Sequence, residues 1–263
     1  MLLNVKGLKT YYATDNRVTK AVDGVDFSLA EGETLGLAGE SGCGKSTIGF
    51  SIMGYLPSPG KIVSGAILFR GSDLVNKSSR SRWKEISMIF QGSMNAMNPV
   101  LKVQKQIDEV LKKHTRLQRE ERRNRIYELL EMVQIDLERS SDYPHQLSGG
   151  MKQRIMIAMA LACNPQILIA DEPTTNLDVL TQKKITDLLK ELKKRLGLSM
   201  VFISHDLPLI SQICERVAIL HNGKIVESGR TVEVFRNPKH PYTRRLVRSV
   251  PQIKKDGGYS DQD

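Results

Sequence analysis

The segment from Gly39 to Ser46 constrains the fold of this chain more than any other feature. It has the sequence Gly-Glu-Ser-Gly-Cys-Gly-Lys-Ser and fits G-x-x-x-x-G-K-[ST], in which backbone N–H groups surround phosphates and the lysine reaches the terminal ones. Such a loop needs a strand before it and a helix after it, so that the helix N-terminus points at the anion. Residues 34–38 and 46–56 have the patterns of that strand and that helix. The sequence therefore predicts a nucleotide-binding α/β core.

Length and composition exclude several classes of protein. The chain has 263 residues, of which 40% are hydrophobic and 26% charged, enough for one large domain or two smaller ones. Its longest near-continuous apolar run, residues 155–163, is well short of the ~20 residues that cross a bilayer as a helix. The N-terminus has no signal-like stretch, and Cys43, Cys163 and Cys214 lack metal-ligand spacing. We expect a chain that is not exported, does not span a membrane and works in a reducing compartment.

The formal net charge is +10, and it leaves alternatives open. Much of the excess lies in residues 102–125, 183–195 and 244–255. A solvated exterior and attraction to an anionic membrane surface both explain it. Nucleic acid is the less favoured partner, because these segments have few aromatic residues that could stack on bases.

Short apolar runs bounded by glycine and acidic residues predict further strands. They cover residues 2–5, 21–29, 65–71, 86–90, 167–170, 200–204 and 217–220. Helical patterns cover residues 149–163 and 180–196. This alternation predicts a mainly parallel sheet that binds nucleotide at the carboxyl ends of its strands, together with a β-rich N-terminal part.

Residues 103–137 form a long, charged, helical stretch. Within it Ile126, Leu129, Leu130 and Val133 have the spacing of a one-sided apolar stripe, which predicts a helical subdomain inserted into the α/β core. The expected division is a core of residues 1–91 and 161–229, a helical subdomain of residues 92–160 and a tail of residues 230–263. Residues 254–263 are polar enough to predict disorder.

Two adjacent carboxylates follow a predicted buried strand. Residues 167–170 are apolar and lead directly into Asp171 and Glu172. We expect Asp171 to contact the Mg²⁺ shell, and Glu172, on the other side of the pleat, to polarise the attacking water. Lys45 is then expected to neutralise the β and γ phosphates, with the Ser46 hydroxyl directed to Mg²⁺.

A second motif specifies the kind of nucleotide protein. Residues 147–151 read Leu-Ser-Gly-Gly-Met, and with the phosphate loop upstream they resemble the signature of ATP-binding-cassette (ABC) ATPases. The resemblance covers nearly the whole chain in the order and approximate spacing of the family. It implies a P-loop NTPase core with a mainly parallel sheet, an N-terminal antiparallel β-subdomain and an inserted helical subdomain. It departs from the family at Met151, where glutamine is commonest, and at Asn176, where a small alanine is frequent. Neither departure removes a catalytic group, and Ser148 with the following glycine N–H groups is still expected to bind a γ-phosphate.

The resemblance implies roles for individual residues. Tyr11 is the aromatic that stacks on adenine, with Tyr12 the less favoured choice, and Gln91 senses Mg²⁺ and the transport subunit. Asp178 lies in the dimer-contacting D-loop, and His205 contacts the γ-phosphate.

The complete expected site combines these roles with the loop motif. The expected catalytic residues are Lys45, Gln91, Glu172 and His205. The expected nucleotide contacts are Tyr11, Gly39, Glu40, Ser41, Gly42, Cys43, Gly44, Lys45, Ser46, Thr47, Ser148, Gly149, Gly150 and Asp178. The expected Mg²⁺ ligands are Ser46, Gln91 and Asp171, and the expected cofactors are ATP and Mg²⁺. We also expect the Cys43 thiol, among backbone N–H donors, to have a lowered pKa and to react readily, the alternative being an inert small residue.

Residues near the end of the chain indicate which branch of the family it resembles. Residues 237–243 read Asn-Pro-Lys-His-Pro-Tyr-Thr and resemble the His-Pro-Tyr tail of oligopeptide, dipeptide and nickel importer ATPases, as do residues 93–99 and 150–158. The alternative is that X-Pro pairs merely punctuate a terminal helix. Some members carry a cysteine cluster for an iron–sulfur centre after this tail. No cysteine follows Cys214, so we expect no such cluster unless the chain is truncated.

The resemblance implies an ATP-hydrolysing subunit at the cytoplasmic face of the cell membrane. Its expected partners are two membrane-spanning permease subunits, a second cassette that is identical or paralogous, and indirectly an extracytoplasmic solute-binding protein. In this family the signature completes the site of the partner cassette, so that a chain with one cassette must dimerise. The Gln91 region and the helical subdomain are expected to receive the permease. No nucleic acid is expected; the rival functions are a soluble ABC ATPase acting on nucleic acid or ribosomes and a regulatory subunit with little turnover.

Overall fold

The computed structural model describes residues 1–14, 17–75, 82–92 and 96–249. In this part of the chain the strands are β1 Leu3–Thr14, β2 Arg17–Leu29, β3 Thr34–Ala38, β4 Gly60–Phe69, β5 Ser72–Asp73, β6 Ile86–Ile89, β7 Ile167–Asp171, β8 Ser199–Ser204, β9 Arg216–His221 and β10 Lys224–Arg230. The α-helices are α1 Lys45–Met53, α2 Val103–His114, α3 Arg119–Met132, α4 Gly149–Leu161, α5 Val179–Leu196, α6 Leu207–Ile213, α7 Thr231–Arg236 and α8 Pro241–Arg248. Two short 3₁₀ helices, Leu137–Ser141 and Pro144–Gln146, lie between α3 and α4.

The larger sheet has the order β10-β9-β3-β8-β7-β6. Its strands run parallel except for β10, which pairs antiparallel with β9. Every residue of β3, β6, β7 and β8 is buried, as expected for parallel strands covered on both faces. Because these strands are parallel, the segments that follow them meet at one edge of the sheet. This edge carries the phosphate loop.

Side chains of the parallel strands alternate between two hydrophobic cores. On β7, Leu168 and Ala170 pack with the helices α2 to α6, whereas Ile167 and Ile169 pack with α1 and the N-terminal sheet. This is the two-residue period of a strand seen from both faces. The predicted α/β fold with a mainly parallel sheet is therefore confirmed.

The N-terminal sheet is antiparallel, with the order β2-β1-β4-β5. Its strands are longer than the sequence predicted, because Tyr11 pairs with Lys20 and Lys61 and so continues β1 through residues whose side chains are partly exposed. Apolar patterning detects only the buried part of such a strand. The antiparallel N-terminal sheet expected for this fold class is present.

The helical stretch predicted over residues 103–137 is divided rather than continuous. A new helix begins at α3, where Gln118 and Glu121 form a capping box that satisfies the first N–H groups. The predicted apolar stripe is buried in α3 and the residue after it. Arg122 Nε lies 2.5 Å from Asp108 Oδ1 and joins α3 to α2.

Several short elements were not predicted from the sequence: β5, α6, β10, α7 and α8. Helix α6 begins at the N-cap Asp206, whose carboxylate accepts from the Leu209 N–H, and β10 pairs with β9 across a tight turn. Residues 254–263 and part of the segment 93–99 lie outside the described residues. Within the described ranges, no helix combines the length and the apolar character that a bilayer crossing needs.

Candidate nucleotide site

The phosphate loop is closed around its own lysine. Lys45, at the start of α1, is 5% exposed, and its Nζ donates to Gly39 O and Glu40 O, both at 2.8 Å. Two glycines allow this path. Gly39 and Gly44 have φ angles of +151° and +108°, and a Cβ on either would lie 2.3 Å from Leu220 O or 2.1 Å from Ala21 O. Residues with side chains would clash with the backbone at both positions.

The tip of the loop is open to solvent. Ser41 and Gly42 are exposed, and Ser46 and Thr47 are partly buried. The Thr47 carbonyl accepts from the Ser51 hydroxyl within α1. The expected phosphate contacts from Gly39 to Thr47 thus lie together on one loop and the first turn of one helix.

Asp171, the last residue of β7, meets the loop at Ser46. The Ser46 hydroxyl donates to Asp171 Oδ1 at 3.0 Å, and Asp171 is fully buried. Its other oxygen, Oδ2, is buried without a hydrogen-bond partner among the described residues. Burial raises the pKa of Asp171 to about 6, although the Ser46 hydrogen bond opposes the shift.

The donor set at Asp171 fits Mg²⁺. A carboxylate oxygen without a partner and a neighbouring hydroxyl are hard oxygen donors, and Mg²⁺ is typically bound by one or two carboxylates together with substrate phosphates. A buried charge is costly until a cation neutralises it. These features are expected of a site that binds its cation together with the nucleotide.

Glu172 lies beyond the end of β7 in a left-handed conformation, with a φ of +45°. Its N–H donates to Ile203 O on β8 at 2.9 Å. The sequence analysis expected alternation of the pleat to direct this side chain, and that was wrong, because the strand ends at Asp171 and the turn directs it. A non-glycine residue held in this region stores strain, as residues at functional sites often do.

Three side chains surround the Glu172 carboxylate. Its Oε1 lies 2.9 Å from His205 Nδ1, and its Oε2 accepts from Thr175 Oγ1 at 2.9 Å and from Gln91 Nε2 at 3.2 Å. Burial alone would raise the pKa of Glu172, but the hydrogen bonds from His205 and Thr175 hold it below its usual value. At neutral pH the carboxylate is therefore ionised and able to accept a proton.

The role of Thr175 was not predicted from the sequence. Its only signal is its position three residues after Glu172, in the turn where the Thr175 N–H also donates to Glu172 O. The structure thus brings together Lys45, Ser46, Gln91, Asp171, Glu172 and His205, which the sequence analysis selected separately.

Tyr11 lies on β1, and its hydroxyl donates to Asp23 Oδ1 at 2.6 Å. This bond raises the pKa of Tyr11 and lowers that of Asp23. The Asp23 N–H donates to Gly223 O, and the Gly223 N–H donates to Cys43 O in the phosphate loop. The N-terminal sheet is therefore joined to the loop through two residues that no motif marks. The adenine-stacking role of Tyr11 stays a prediction.

The expected lowering of the Cys43 pKa is wrong. The residue is 8% exposed, and burial raises the pKa of its thiol even though Lys45 Nζ lies 3.8 Å from the sulfur and favours the thiolate. Desolvation outweighs the nearby charge. Cys43 therefore behaves as a small buried side chain.

The signature and D-loop residues form a separate group. Ser148 Oγ accepts from the Met151 N–H at the start of α4, and both Asp178 oxygens accept from Thr181 at the start of α5. A Cβ on Gly150 would lie 2.7 Å from Thr181 Cγ2, so that the first turns of the two helices pack closely.

Asn176 adopts a φ of +65°, a conformation that asparagine tolerates better than most residues. This accounts for its presence where the family often has alanine. In the described part of the chain, no hydrogen bond joins Ser148, Gly149, Gly150 or Asp178 to the cluster around Lys45 and Glu172.

Comparisons with known proteins agree with this geometry. The profile of the family described as "ABC transporter" matches residues 22–175, and that described as "Oligopeptide/dipeptide transporter, C-terminal region" matches residues 226–262. The "Oligopeptide transport ATP-binding protein OppD" of Bacillus subtilis is 47% identical, over 97% of this chain and 74% of its own length. The "Dipeptide transport ATP-binding protein DppD" of Haemophilus influenzae is 45% identical, over 96% and 78%.

Solved structures show the same fold. The structure described as a dimeric post-hydrolysis state of the ATP-binding cassette MJ0796 bound to ADP and Pi superposes with a TM-score of 0.77 at 30% identity, covering 87% of this chain and 98% of that one. The structure of cbiO1 from Clostridium perfringens, part of the transporter complex cbiONQ, gives a TM-score of 0.77 at 29% identity, over 90% and 91%. Since the first family profile spans more than half of the sequence and these relatives match nearly all of it, the chain belongs to the ABC transporter family, as one of its ATP-hydrolysing cassettes.

Proposed function

We propose that this cassette powers the import of dipeptides or oligopeptides through membrane-spanning permease subunits. The observation that carries the hydrolytic part is the Glu172 carboxylate, which lies beside the phosphate loop and is fixed by His205, Thr175 and Gln91. The substrate class is supported by the match of residues 226–262 to the oligopeptide/dipeptide C-terminal region. Relatives named for peptide transport, 41–47% identical to this chain, support it further.

Each residue of the cluster has a proposed task. Lys45 binds the terminal phosphates with its ammonium group, which the carbonyls of Gly39 and Glu40 hold in place. Ser46, Gln91 and Asp171 hold Mg²⁺, which when bound neutralises charge on the phosphates. Glu172 accepts the proton of the attacking water as general base. His205 holds Glu172 in place and reaches the γ-phosphate.

The signature is proposed to act on the nucleotide of a second cassette. Ser148 and the N–H groups of Gly149 and Gly150 lie at the start of α4, a helix N-terminus suited to binding a γ-phosphate. Their separation from the Lys45 cluster supports a site completed by the partner subunit, either a second copy or a paralogue. We place this assembly at the cytoplasmic face of the membrane.

The permease is proposed to dock in a cleft between α2 and α3. Basic side chains predominate in its lining, which includes Lys102, Lys105, Lys112, Arg119, Arg122 and Arg123. Val100, at the rim, is 75% exposed. The excess of basic over acidic side chains in this lining suits a short permease segment that carries carboxylates.

Charge reversal in this cleft is expected to separate transport from hydrolysis. The double variant Lys105→Glu, Arg123→Glu should lower the fraction of the chain recovered with membranes by about tenfold, because the new carboxylates would repel those of the permease segment. ATPase activity of the isolated chain should stay within about twofold. The matched control is Lys183→Glu, Lys184→Glu on the exposed face of α5. Equal membrane recovery of both double variants would show that the permease does not dock in this cleft.

Removing the buried charge of Asp171 is expected to stabilise the nucleotide-free protein. The pKa of Asp171 is raised from 3.8 to about 6, so its ionisation destabilises the fold at neutral pH, and this cost disappears as pH falls through 6 toward 4. Asp171→Asn should therefore raise the free energy of unfolding at pH 7.5 by about 1–3 kcal/mol. The lower figure includes the cost of burying an amide N–H group without an acceptor at the position of Oδ2.

Thermal unfolding at pH 7.5 and pH 5 measures this effect, and the difference between wild type and variant should shrink at the lower pH. Mg²⁺-dependent hydrolysis should be lost in the same protein. A variant that is less stable than wild type at pH 7.5 would contradict the burial argument.

Peptide import itself is tested in the source cell. Deletion of the gene should abolish uptake of a radiolabelled dipeptide or tetrapeptide, and the wild-type gene should restore it while the Glu172→Gln gene does not. Purification from native membranes in mild detergent should recover polytopic subunits in stoichiometric amounts. Recovery with ribosomes or DNA instead would exclude the transport proposal and leave the ATPase assignment intact.

A further inference from the structure

The C-terminal helix contacts the phosphate loop directly. Tyr242, in the first turn of α8, is 4% exposed, and its hydroxyl oxygen accepts from the Glu40 N–H at 3.2 Å across 202 residues of sequence. Glu40 is the second residue of the loop, and its N–H donates to Tyr242. The loop is therefore held from behind by a segment that belongs to the tail.

This hydrogen bond fixes the peptide group on which Lys45 depends. The amide of Glu40 and the carbonyl of Gly39 belong to one peptide plane, and Gly39 O accepts from Lys45 Nζ at 2.8 Å. Because a peptide is planar, its N–H and C=O rotate together. A partner that fixes the N–H of this plane therefore also fixes the carbonyl that holds the lysine.

The Tyr242 ring is itself immobilised by packing. It stacks on His221 with the ring centroids 3.9 Å apart and an interplanar angle of 29°. His221 ends β9, directly after Leu220, whose carbonyl oxygen would lie 2.3 Å from a Cβ on Gly39. The ring and the end of β9 thus form one rigid support beneath the start of the loop.

The turn that leads into α8 is anchored by a carboxylate. Glu227 on β10 accepts from the Lys239 N–H at 2.8 Å and from the His240 N–H at 3.0 Å, one with each oxygen. His240 Nδ1 in turn accepts from the Tyr242 N–H at 3.2 Å. A continuous series of hydrogen bonds therefore runs from β10 through the His-Pro-Tyr segment to Glu40.

We propose that Tyr242 is a positioning residue for ATP binding, through which the C-terminal region fixes the conformation of the phosphate loop. Tyr242 does not touch the nucleotide; it acts through the Gly39–Glu40 peptide and so through Lys45. The inference rests on the proposed binding of the ATP phosphates by this loop. It assigns to the tail a direct effect on the affinity of the cassette for ATP.

The test compares two tyrosine-to-phenylalanine variants of the full chain. Tyr242→Phe keeps the ring on His221 and removes only the acceptor for Glu40. Tyr127→Phe is the matched control, because the Tyr127 hydroxyl also accepts a hydrogen bond, from Arg123 Nε at 3.1 Å, but in α3. Binding of MgATP is measured by calorimetry, hydrolysis by steady-state kinetics, and amide exchange in residues 39–44 by mass spectrometry.

Loss of one hydrogen bond to the loop should weaken MgATP binding by about 3- to 10-fold in Tyr242→Phe, while kcat stays within about twofold. Amide exchange in the loop should become faster, and Tyr127→Phe should match wild type in all three measurements. Glu227→Gln, which weakens the anchor without touching the loop, should change the affinity in the same direction.

The alternative outcomes are distinct. Unchanged affinity in Tyr242→Phe, with wild type binding MgATP normally, overturns the inference alone. An equal loss of affinity in Tyr127→Phe also overturns it, since the effect would then be general destabilisation. A wild-type chain that does not bind MgATP overturns both this inference and the proposed role of the loop.

Discussion

Glu172→Gln is expected to abolish most hydrolysis while ATP binding is retained. Glutamine has the shape of glutamate. Its carbonyl oxygen can still accept from Thr175, and its NH₂ group then faces His205 Nδ1, which can accept in the other tautomer, but the amide cannot accept a proton at neutral pH. Loss of a general base typically lowers the rate by about 10²- to 10⁴-fold, and we expect kcat to fall within this range. The ATP dissociation constant should change by no more than about threefold, because Glu172 does not hold the phosphates in the proposed site.

Steady-state hydrolysis and equilibrium binding of ATP measure the two quantities in one preparation. The matched control is Glu31→Gln, since Glu31 is an exposed carboxylate whose ion pair with Arg70 is long, at 3.5 Å. Residual activity above about a tenth of wild type would transfer the role of base to another group. A parallel loss of ATP binding would show that the substitution disturbs the loop rather than the chemistry. Retained binding without hydrolysis would also separate this protein from a regulatory subunit with little turnover.

The parts of the site predictable from the sequence are those fixed by local backbone geometry. The phosphate loop has a conformation that depends on its glycines and on the strand and helix around it. The strand end at Asp171 was predictable because a fully apolar run of strand length ended in a carboxylate. Parallel strands then brought Gln91, Asp171 and His205 to one edge of the sheet, since each lies at or just beyond the carboxyl end of a strand of that sheet.

The parts that escaped prediction depend on contacts distant in sequence or on a balance of opposing effects. Tyr242 reaches Glu40 across most of the chain, and no periodicity records that contact. Alternation of the pleat does not apply to Glu172, because the strand ends at Asp171 and Glu172 is left-handed. The predicted lowering of the Cys43 pKa was wrong, because the sequence shows the nearby lysine but not the burial that outweighs it. For Tyr242 and Cys43 the missing quantity was the position of a remote segment or the solvent exposure, and for Glu172 it was the point at which the strand ends.

Lys45→Ala is expected to have the second large effect, on ATP binding rather than on catalysis alone. Hydrogen bonds to charged groups contribute about 1.5–3 kcal/mol each. Lys45 would make such bonds to the phosphates while the Gly39 and Glu40 carbonyls hold its ammonium group, so we expect affinity to fall by about 10²- to 10³-fold. The control Lys184→Ala removes the same charge from an exposed position on α5 and should leave affinity unchanged. Calorimetric titration with MgATP distinguishes the two variants.

Lys45→Arg separates the charge of Lys45 from its fit to the loop. Lys45 is 5% exposed and ends between two carbonyls of a loop whose glycines already lie against Leu220 O and Ala21 O. The planar guanidinium is larger than an ammonium group and presents a fixed fork of donors, so it cannot enter this space without moving the Gly39–Glu40 peptide. We therefore expect Lys45→Arg to lose at least about tenfold in MgATP affinity although its charge is kept. Wild-type affinity in Lys45→Arg would show that charge alone matters, and would also weaken the argument that Tyr242 acts by fixing this peptide. Loss in both variants, with Lys184→Ala normal, would mean that the closed shape of the loop contributes to ATP binding together with the positive charge.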